Sequence, residues 1–578
     1  MTAVGQVSKR GPGRASQLPK SALVRASEEM LARSTVRSEV AQEEIMLGRN
    51  QASFAREGAS TKDSRALRSV ALPLAALCLT VLPTQHASAA GIEDTIGGAI
   101  GLGRAAYVAR VNDFNAIVLN PANLAVAPRA DFGFELKLPV LDGCFDRDRD
   151  PNVEYKQPGA YENFEGSESF GRVCNSAIPS PTANLGWSQS FDGWGYGIGL
   201  FTPGAVGASS YGGGTIVSWF PSENERYQTT DTGVESPQRQ MGMKRDGVVA
   251  HLMLGLAAAP NKMLRFGVSA GWGFGSVYNK SVVSVLGGTF RDQEVVNELR
   301  VTDWAIPRLV SSIVFSPFDW LDLFAVSNYQ GDIDGRGRAT LTANGISGAP
   351  LKSCTEMNPG THCYIDDVRL QVPFPTMEAT FGARFALPRH ARERVLDPMK
   401  DEYFDVEVDV AWTQTSKVQD FKVTLHDKVV TDPDVPKIQF ANADDANTSF
   451  PRQSTSVPKR WRDTWSVRAG TDINLVPGVF TIRGGFSFTQ RATPVEYMNI
   501  DYWPVQKIGI HGGATYAFGR FKLTAGYARL IYQTIKVQVG TGGVKDIASI
   551  QELMSTGVNE GTFTASQNVY SFQLNTGF

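Results

Sequence analysis

Apolar and polar residues alternate in segments of about ten residues from residue 130 to the C-terminus, and this pattern restricts the fold more than any other feature. In residues 404–412 every even-numbered side chain is apolar, and Asp405, Glu407 and Asp409 lie between them. The same period of two recurs in segments that begin near Phe132, Trp465, Phe480 and Ile508. One apolar and one polar face in ten-residue units is typical of transmembrane β-barrel strands. No apolar run reaches the roughly 18 to 20 residues of a membrane-spanning helix.

The composition agrees with a chain of many short strands. The 578 residues include 57 glycines and equally many aromatic residues, while 42% are hydrophobic and 20% charged. These proportions exclude an intrinsically disordered chain and a bundle of membrane helices. The formal net charge of −2 excludes a simple polycationic nucleic-acid-binding protein.

The spacing of the candidate strands predicts how the barrel is connected. Fourteen strands are predicted near 130–138, 182–191, 194–203, 247–258, 264–282, 296–316, 319–333, 376–387, 402–417, 461–475, 479–490, 506–518, 520–536 and 562–578. Long and short connections alternate between them, except that the connection at 388–400 is longer than expected for a turn. An even number of strands with long loops at one end is the pattern of outer-membrane barrels. We therefore predict an all-β fold, a 14-stranded antiparallel transmembrane β-barrel.

The N-terminal region has the features of an export signal. Arg65 and Arg68 precede an apolar run at 69–82, and the small residues Ala87-Ser88-Ala89 follow it. This order predicts a secretory signal peptide at 65–89, cleaved before Ala90. Residues 1–64 form a basic extension, which we interpret as a start codon assigned too far upstream. The predicted divisions after the signal are a plug at 90–128 and the barrel at 129–578.

Cysteines and acidic residues offer few sites for chemistry. Export permits disulfides, and proximity favours the pairs Cys144–Cys174 and Cys354–Cys363, both predicted in extracellular loops. The acidic run at 146–150 departs from a calcium-binding loop, so a solvated loop is favoured over a calcium site. No metal, cofactor or catalytic constellation is predicted, and we expect no enzyme.

Short motifs at both ends of the mature chain resemble a known family. Residues 101–105 read GLGRA, residues 120–122 read NPA, and residues 513–518 read GATYAF. With Arg462-Asp463 and Arg483-Gly484-Gly485, these resemble the FadL family of long-chain fatty-acid and hydrophobic-compound transporters. The resemblance implies an N-terminal hatch that plugs the barrel, with gating residues at Gly101, Gly103, Arg104, Asn120, Pro121 and Ala122. We expect glycine turns at 101 and 103, and a hydrogen bond from Asn120 to the wall.

A second implication of the resemblance concerns the third strand. The sequence Pro203-Gly204 follows its alternating part, and a proline cannot donate a ladder hydrogen bond there. In the family a kink in this strand releases ligands sideways into the membrane. We therefore expect a lateral opening at Pro203 and Gly204, although a strand that simply ends at Pro203 remains an alternative.

The expected function is passive diffusion of hydrophobic small molecules, such as fatty acids or hydrocarbons, across the bacterial outer membrane. Since a buried carboxylate needs a basic partner, candidate ligand-binding residues are Lys280, Arg468 and Arg483. Expected partners are the hydrophobic ligand, outer-membrane lipid and lipopolysaccharide, with no nucleic acid, and the protein is expected to be a monomer. The alternative is a surface barrel whose disulfide-pinned loops act in adhesion or assembly without transport.

Overall fold

A computed structural model describes residues 97–127, 130–148, 169–179, 181–202, 208–211, 216–218, 228–230, 238–284, 294–343, 362–390, 397–425, 454–545 and 557–577. Several predictions fall outside these residues. They are the N-terminal extension, the signal peptide and its cleavage site, the Pro203-Gly204 kink, the acidic Asp150, and Cys354 with its disulfide to Cys363.

Fourteen antiparallel strands form the wall of the molecule. They are β1 (Ala130–Asp148), β2 (Thr182–Phe191), β3 (Trp194–Phe201), β4 (Lys244–Ala258), β5 (Leu264–Ser284), β6 (Glu294–Phe318), β7 (Leu321–Gln330), β8 (Met377–Pro388), β9 (Glu402–Thr413), β10 (Thr464–Val476), β11 (Phe480–Thr489), β12 (Lys507–Phe518), β13 (Phe521–Tyr532) and β14 (Gly561–Gly577).

Each wall strand pairs with its neighbours in sequence, and β14 pairs with β1 from Asp131↔Gly577 to Arg147↔Gly561. This last ladder closes the sheet, so the predicted 14-stranded barrel is confirmed. The connections 192–193, 259–263, 319–320, 389–401, 477–479 and 519–520 lie at the same end as both chain termini of the barrel. In outer-membrane barrels the short turns face the periplasm, and we name the two ends accordingly.

The period-two alternation separates the two faces of the wall. Exposed apolar side chains cover the outer face, among them Phe134, Leu185, Leu254, Val268, Leu309, Phe381, Val406, Val467, Ile510 and Leu574. Buried polar side chains line the inner face, among them Glu135, Ser269, Asp322, Arg384, Glu407, Arg468, Thr515 and Gln573. An apolar exterior around a polar interior suits a barrel that is surrounded by lipid.

The sheet continues beyond the barrel at its extracellular end, which the sequence did not predict. Strands Ile333–Ala343, His362–Val372, Asp420–Leu425 and Ser454–Pro458 extend the ladder that begins on β6. Val368 and Leu370 of these strands pack into one apolar core with Val301 of β6, Trp461 and Tyr502. Shorter strands are Ser169–Cys174, Ser209–Ser210, Ile216–Ser218, Gln228–Thr230 and Ile535–Val537.

The helical elements are all short. They are α1 (Gly98–Arg104), α2 (Ala116–Leu119), α3 (Pro398–Asp401) and the 3-10 turns Pro121–Ala125, Thr415–Lys417 and Val495–Tyr497. No helix among the described residues is long and apolar enough to cross a membrane.

Candidate functional site: a plugged barrel lumen

Residues 97–127, which we call the N-terminal segment, lie inside the ring of strands. At one side the backbone oxygen of Arg104 faces Gly470 of β10 and Gly485 of β11, and a Cβ atom on either glycine would lie 2.0 Å from that oxygen. At the opposite side, a Cβ atom on Gly267 of β5 would lie 2.4 Å from the carbonyl carbon of Pro121. Glycine in the wall therefore makes room for the backbone of the segment to approach.

Arg104 attaches the N-terminal segment to the wall by ion pairs. Its guanidinium lies 3.0 Å from Asp405, 3.4 Å from Glu407 and 3.5 Å from Asp472. Only 2% of Arg104 is exposed. Glu407 also accepts hydrogen bonds from the backbone N–H groups of Val108 and Ala109, at 2.5 and 2.9 Å. The predicted plug residue Arg104 thus meets acidic residues of β9 and β10.

A second arginine of the segment extends this network. Arg110 lies 3.1 Å from Asp322 of β7 and 3.3 Å from Glu402 of β9. Arg384 of β8 contacts both of these carboxylates and donates to Asp405 at 2.6 Å. Because buried charges need partners, these residues hold one another in place. The sequence analysis missed Arg110, Asp322, Arg384 and Glu402.

The remaining GLGRA and NPA residues differ in part from their predicted roles. Gly101 and Gly103 lie in α1 rather than in tight turns, and the positive φ angles occur at Gly98 and Ala105. Gly103 allows α1 to pack against Gly513, since its Cβ would lie 3.1 Å from the Gly513 Cα atom.

The prediction that Asn120 bonds to the wall is wrong. Its amide donates to the Val108 carbonyl oxygen at 2.7 Å, within the N-terminal segment itself. The bond to the wall comes from the backbone N–H of Ala122, which donates to Ser312 of β6 at 2.9 Å. Pro121 begins the adjacent 3-10 turn and contacts Gly267. Asn120 therefore fixes the shape of the N-terminal segment, and Ala122, two residues later, attaches the segment to the wall.

A cavity lies in the barrel mouth, on the extracellular side of the N-terminal segment. Its empty space amounts to about 960 Å³, a volume that includes open solvent at its mouth. Aromatic residues of its lining are Phe374, Trp461, Tyr502, Trp503 and Tyr532, and charged ones are Arg308, Glu378 and Lys507. We call this cavity the vestibule. Five of the nineteen lining residues are aromatic and ten are polar or charged. An aromatic side next to polar groups suits a ligand with an apolar body and a polar end.

The aromatic side of the vestibule is supported by a buried lysine. Lys459 forms an ion pair with Asp501, and its Nζ atom lies 4.7 Å from the Phe421 ring centroid and 6.0 Å from that of Tyr502. Burial lowers the pKa of Lys459, and the Asp501 carboxylate opposes that shift. These contacts fix Tyr502 at the edge of the cavity.

The vestibule does not contain the three predicted ligand-binding residues. Lys280 has the same strand parity as the exposed Trp272, so it lies on the outer face of β5, where it pairs with Glu298 at 2.8 Å. Arg483 packs beneath α1 and donates to Thr515 at 2.8 Å. Arg468 is buried on β10 opposite Asp409. The basic residues that line the cavity are instead Arg308 and Lys507.

The first predicted disulfide is present. Cys144 and Cys174 are bonded and are register partners between β1 and the strand Ser169–Cys174. Both lie in strands rather than in loops, because β1 extends past its predicted end at residue 138. With Asp142, the two cysteines form a group with metal-ligand spacing, but the disulfide removes both thiols as ligands.

Comparison with known proteins identifies the architecture. No family model matches the sequence, and no curated protein is significantly similar to it. Among solved structures, a Pseudomonas aeruginosa FadL homologue matches with a TM-score of 0.60 at 14% identity, over 85% of this chain and 100% of that one. The chain has the FadL-type barrel fold. The predicted resemblance to this family is confirmed at the level of structure.

Other FadL-type barrels match over similar lengths. The toluene transporter TodX of Pseudomonas putida matches with a TM-score of 0.54 at 16% identity, over 84% of this chain and 99% of that one. TbuX, a toluene transporter of Ralstonia pickettii, matches with a TM-score of 0.50 at 15% identity, over 83% and 98%. These matches are transport proteins rather than enzymes.

Proposed function

We propose that the protein is a bacterial outer-membrane channel through which hydrophobic small molecules diffuse passively. The observation that carries this proposal is the vestibule, whose aromatic side lies at the extracellular end of a barrel that contains the N-terminal segment. An apolar solute would leave water at the aromatic wall, and each buried CH₂ group would contribute about 0.8 kcal/mol.

The vestibule supports two ligand classes. Long-chain fatty acids would place their carboxylate near Arg308 or Lys507, because a carboxylate is costly to bury without a basic partner. Hydrocarbons would use the aromatic wall alone, and toluene is what the structurally similar TodX and TbuX transport. Uptake of both probes by one set of variants separates these classes.

The N-terminal segment would act as the gate. Ion pairs of Arg104 and Arg110 hold it to the wall at one side, while Ala122 donates to Ser312 and the Ala127 carbonyl oxygen accepts from Ser190 of β2 at its other end. A displacement at the Ala122 end would open a route along β4, β5 and β6 without breaking the buried ion pairs.

A lateral exit beside β3 is the proposed way out of the lumen. The β3–β4 ladder runs to Phe201↔His251, and in the described residues pairing on that side of β4 begins again at Ser209↔Arg245. On the side of β1 that faces β2, pairing with β2 stops at Lys137. Pairing with the strand Ser169–Cys174 begins at Cys144. We call this interruption the lateral gap. Release through it would keep an apolar solute out of water.

We further propose that the chain reaches the outer membrane after cleavage of its signal peptide and works there as a monomer. Its outer surface would contact lipopolysaccharide as well as lipid.

Uptake in a deletion strain tests the proposed function. The gene should restore uptake of labelled oleate or toluene, or of both, when the barrel is folded at the cell surface. Heat-dependent electrophoretic mobility reports folding, since a folded barrel migrates differently from the unfolded chain. A folded surface barrel that restores uptake of neither probe would favour an adhesion or assembly role instead.

A further inference from the structure

Basic side chains collect on the outer face of the barrel wall at its extracellular end. Lys244 of β4 and Lys280 of β5 are register partners, and Lys280 pairs in turn with Glu298 of β6. In the next row Tyr278 has the exposed Asp246 of β4 as its partner on one side and Arg300 on the other, and Arg300 faces Arg338 of the strand Ile333–Ala343. We call Lys244, Tyr278, Lys280 and Arg300 the outer cluster.

The outer cluster is organised around one aromatic ring. The Lys244 Nζ atom lies 6.0 Å from the Tyr278 ring centroid, and the Arg300 Cζ atom lies 5.5 Å from it. The Tyr278 hydroxyl donates to Glu298 at 3.1 Å, and Lys280 pairs with the same carboxylate at 2.8 Å. Cation–π contacts of this kind hold two of the basic groups near the third. Exposed Arg336 and Arg338 extend the basic surface along the next strand.

The outer cluster lies beyond the exposed aromatic residues of the lipid-facing surface, toward the extracellular end. Trp272 and Trp304 are 64% and 70% exposed, and Phe274 stacks on Trp304 at 6.0 Å between ring centroids. Aromatic residues of barrels concentrate at the boundary between the apolar band and the headgroups. Tyr278 and Arg300 each lie four residues beyond Phe274 or Trp304, roughly 13 Å along the strand. The cluster therefore faces the headgroup layer and not the lumen.

The chemistry of this position selects an anionic lipid. Arginine and lysine bind phosphate oxygens by charge-assisted hydrogen bonds. A ligand that reaches the cluster from the side must sit in the outer leaflet, with its chains along the exposed aromatic and aliphatic band. We propose that the outer cluster binds the phosphate groups of lipopolysaccharide. The inference rests on the membrane position of the barrel and is independent of whether the lumen transports any solute.

Binding of a short-chain, phosphorylated lipopolysaccharide to the detergent-purified full-length protein tests this site. The triple variant Lys244→Gln, Lys280→Gln, Arg300→Gln should bind about a hundredfold more weakly, roughly fivefold for each basic side chain removed. Glu298→Gln should bind more tightly, because it removes a carboxylate that competes with the phosphate. A matched control is Lys262→Gln, Lys400→Gln, Arg520→Gln, which removes three exposed basic residues at the short-turn end.

The outcomes separate a specific site from general attraction. The control should bind as the parent does, and the same lipid without its phosphates should bind the parent as weakly as the phosphorylated lipid binds the triple variant. Equal losses in the triple variant and the control, or equal binding of the dephosphorylated lipid, would overturn the site. Heat-dependent mobility verifies that each variant is folded, and oleate or toluene uptake need not change in any of them.

Discussion

At the scale of single residues, two adjacent glycines of β11 make unequal contacts with the N-terminal segment. A Cβ atom on Gly485 would lie 2.0 Å from the Arg104 carbonyl oxygen, whereas one on Gly484 would have no neighbour closer than the His511 oxygen at 3.8 Å. Gly485→Ala should therefore displace α1 and cost about 1 to 3 kcal/mol through overpacking. Gly484→Ala should leave the segment in place. Protease sensitivity of residues 97–127 in the folded barrel measures both, and equal sensitivity would contradict the close packing.

Arg104 gives the second residue-scale prediction. Arg104→Gln leaves Asp405, Glu407 and Asp472 without the charge that the N-terminal segment supplies. Removing one partner of a buried ion pair costs about 3 to 5 kcal/mol. We expect faster hydrogen exchange in α1 and in residues 105–110, and a lower unfolding temperature.

The control for Arg104 is a half-exposed ion pair of the extracellular region. Lys417→Gln removes a pair with Asp332 at 2.9 Å whose side chains are 35% and 39% exposed, and such pairs contribute about 0 to 1 kcal/mol. If Arg104→Gln destabilises the protein no more than Lys417→Gln does, the buried network does not hold the segment.

At the scale of elements, the disulfide lies on the extracellular side of the proposed lateral gap. Cys144–Cys174 ties the strand Ser169–Cys174 to β1 where pairing begins again. Replacing both cysteines with serine should speed hydrogen exchange in 169–175, because the crosslink closes a loop of 30 residues and contributes on the order of 3 kcal/mol. The barrel ladders of β5 to β12 should exchange as before. If the double variant could not form the barrel, the disulfide would have a larger role in folding than we assign to it.

The lateral gap itself provides the second element-scale prediction. Pro203→Val with Gly204→Thr restores a backbone donor and β-favouring side chains after β3. We expect the variant to fold, to bind ligand at the vestibule and to lose most uptake. The same pair of substitutions at Pro359 and Gly360, in another extracellular connection, should leave uptake unchanged. Normal uptake by a folded Pro203, Gly204 variant would mean that solutes leave the lumen elsewhere.

At the scale of the whole molecule, strand number, strand order and loop parity follow from the sequence. The period of two is strong on β9, β10 and β11 because one face of each strand meets lipid and the other meets the polar lumen. An even number of strands makes β14 antiparallel to β1, as the ladder that closes the barrel requires.

The site was less predictable because it depends on contacts that are distant in sequence. The vestibule combines Phe374, Trp461 and Tyr502 from separate extracellular connections, and no local pattern brings these residues together. The partners of Arg110 lie hundreds of residues away on β7 and β9. Lys280 is different, since its even spacing from Trp272 and Phe274 already indicated the outer face of β5. The alternation of side chains along a strand can identify which charged residues face the lumen. It cannot identify which of these residues form ion pairs with one another.

We expect solutes to pass through the barrel when the N-terminal segment moves away from the wall. A disulfide between Ala122→Cys and Ser312→Cys would lock the contact where the Ala122 N–H now donates to Ser312 at 2.9 Å. Uptake of each probe that the parent transports, oleate or toluene, should be lost in the oxidised double variant and restored by reductant, while the parent and each single variant transport it under both conditions. Full uptake by a double variant whose crosslink is verified by mass spectrometry would contradict gating by this segment.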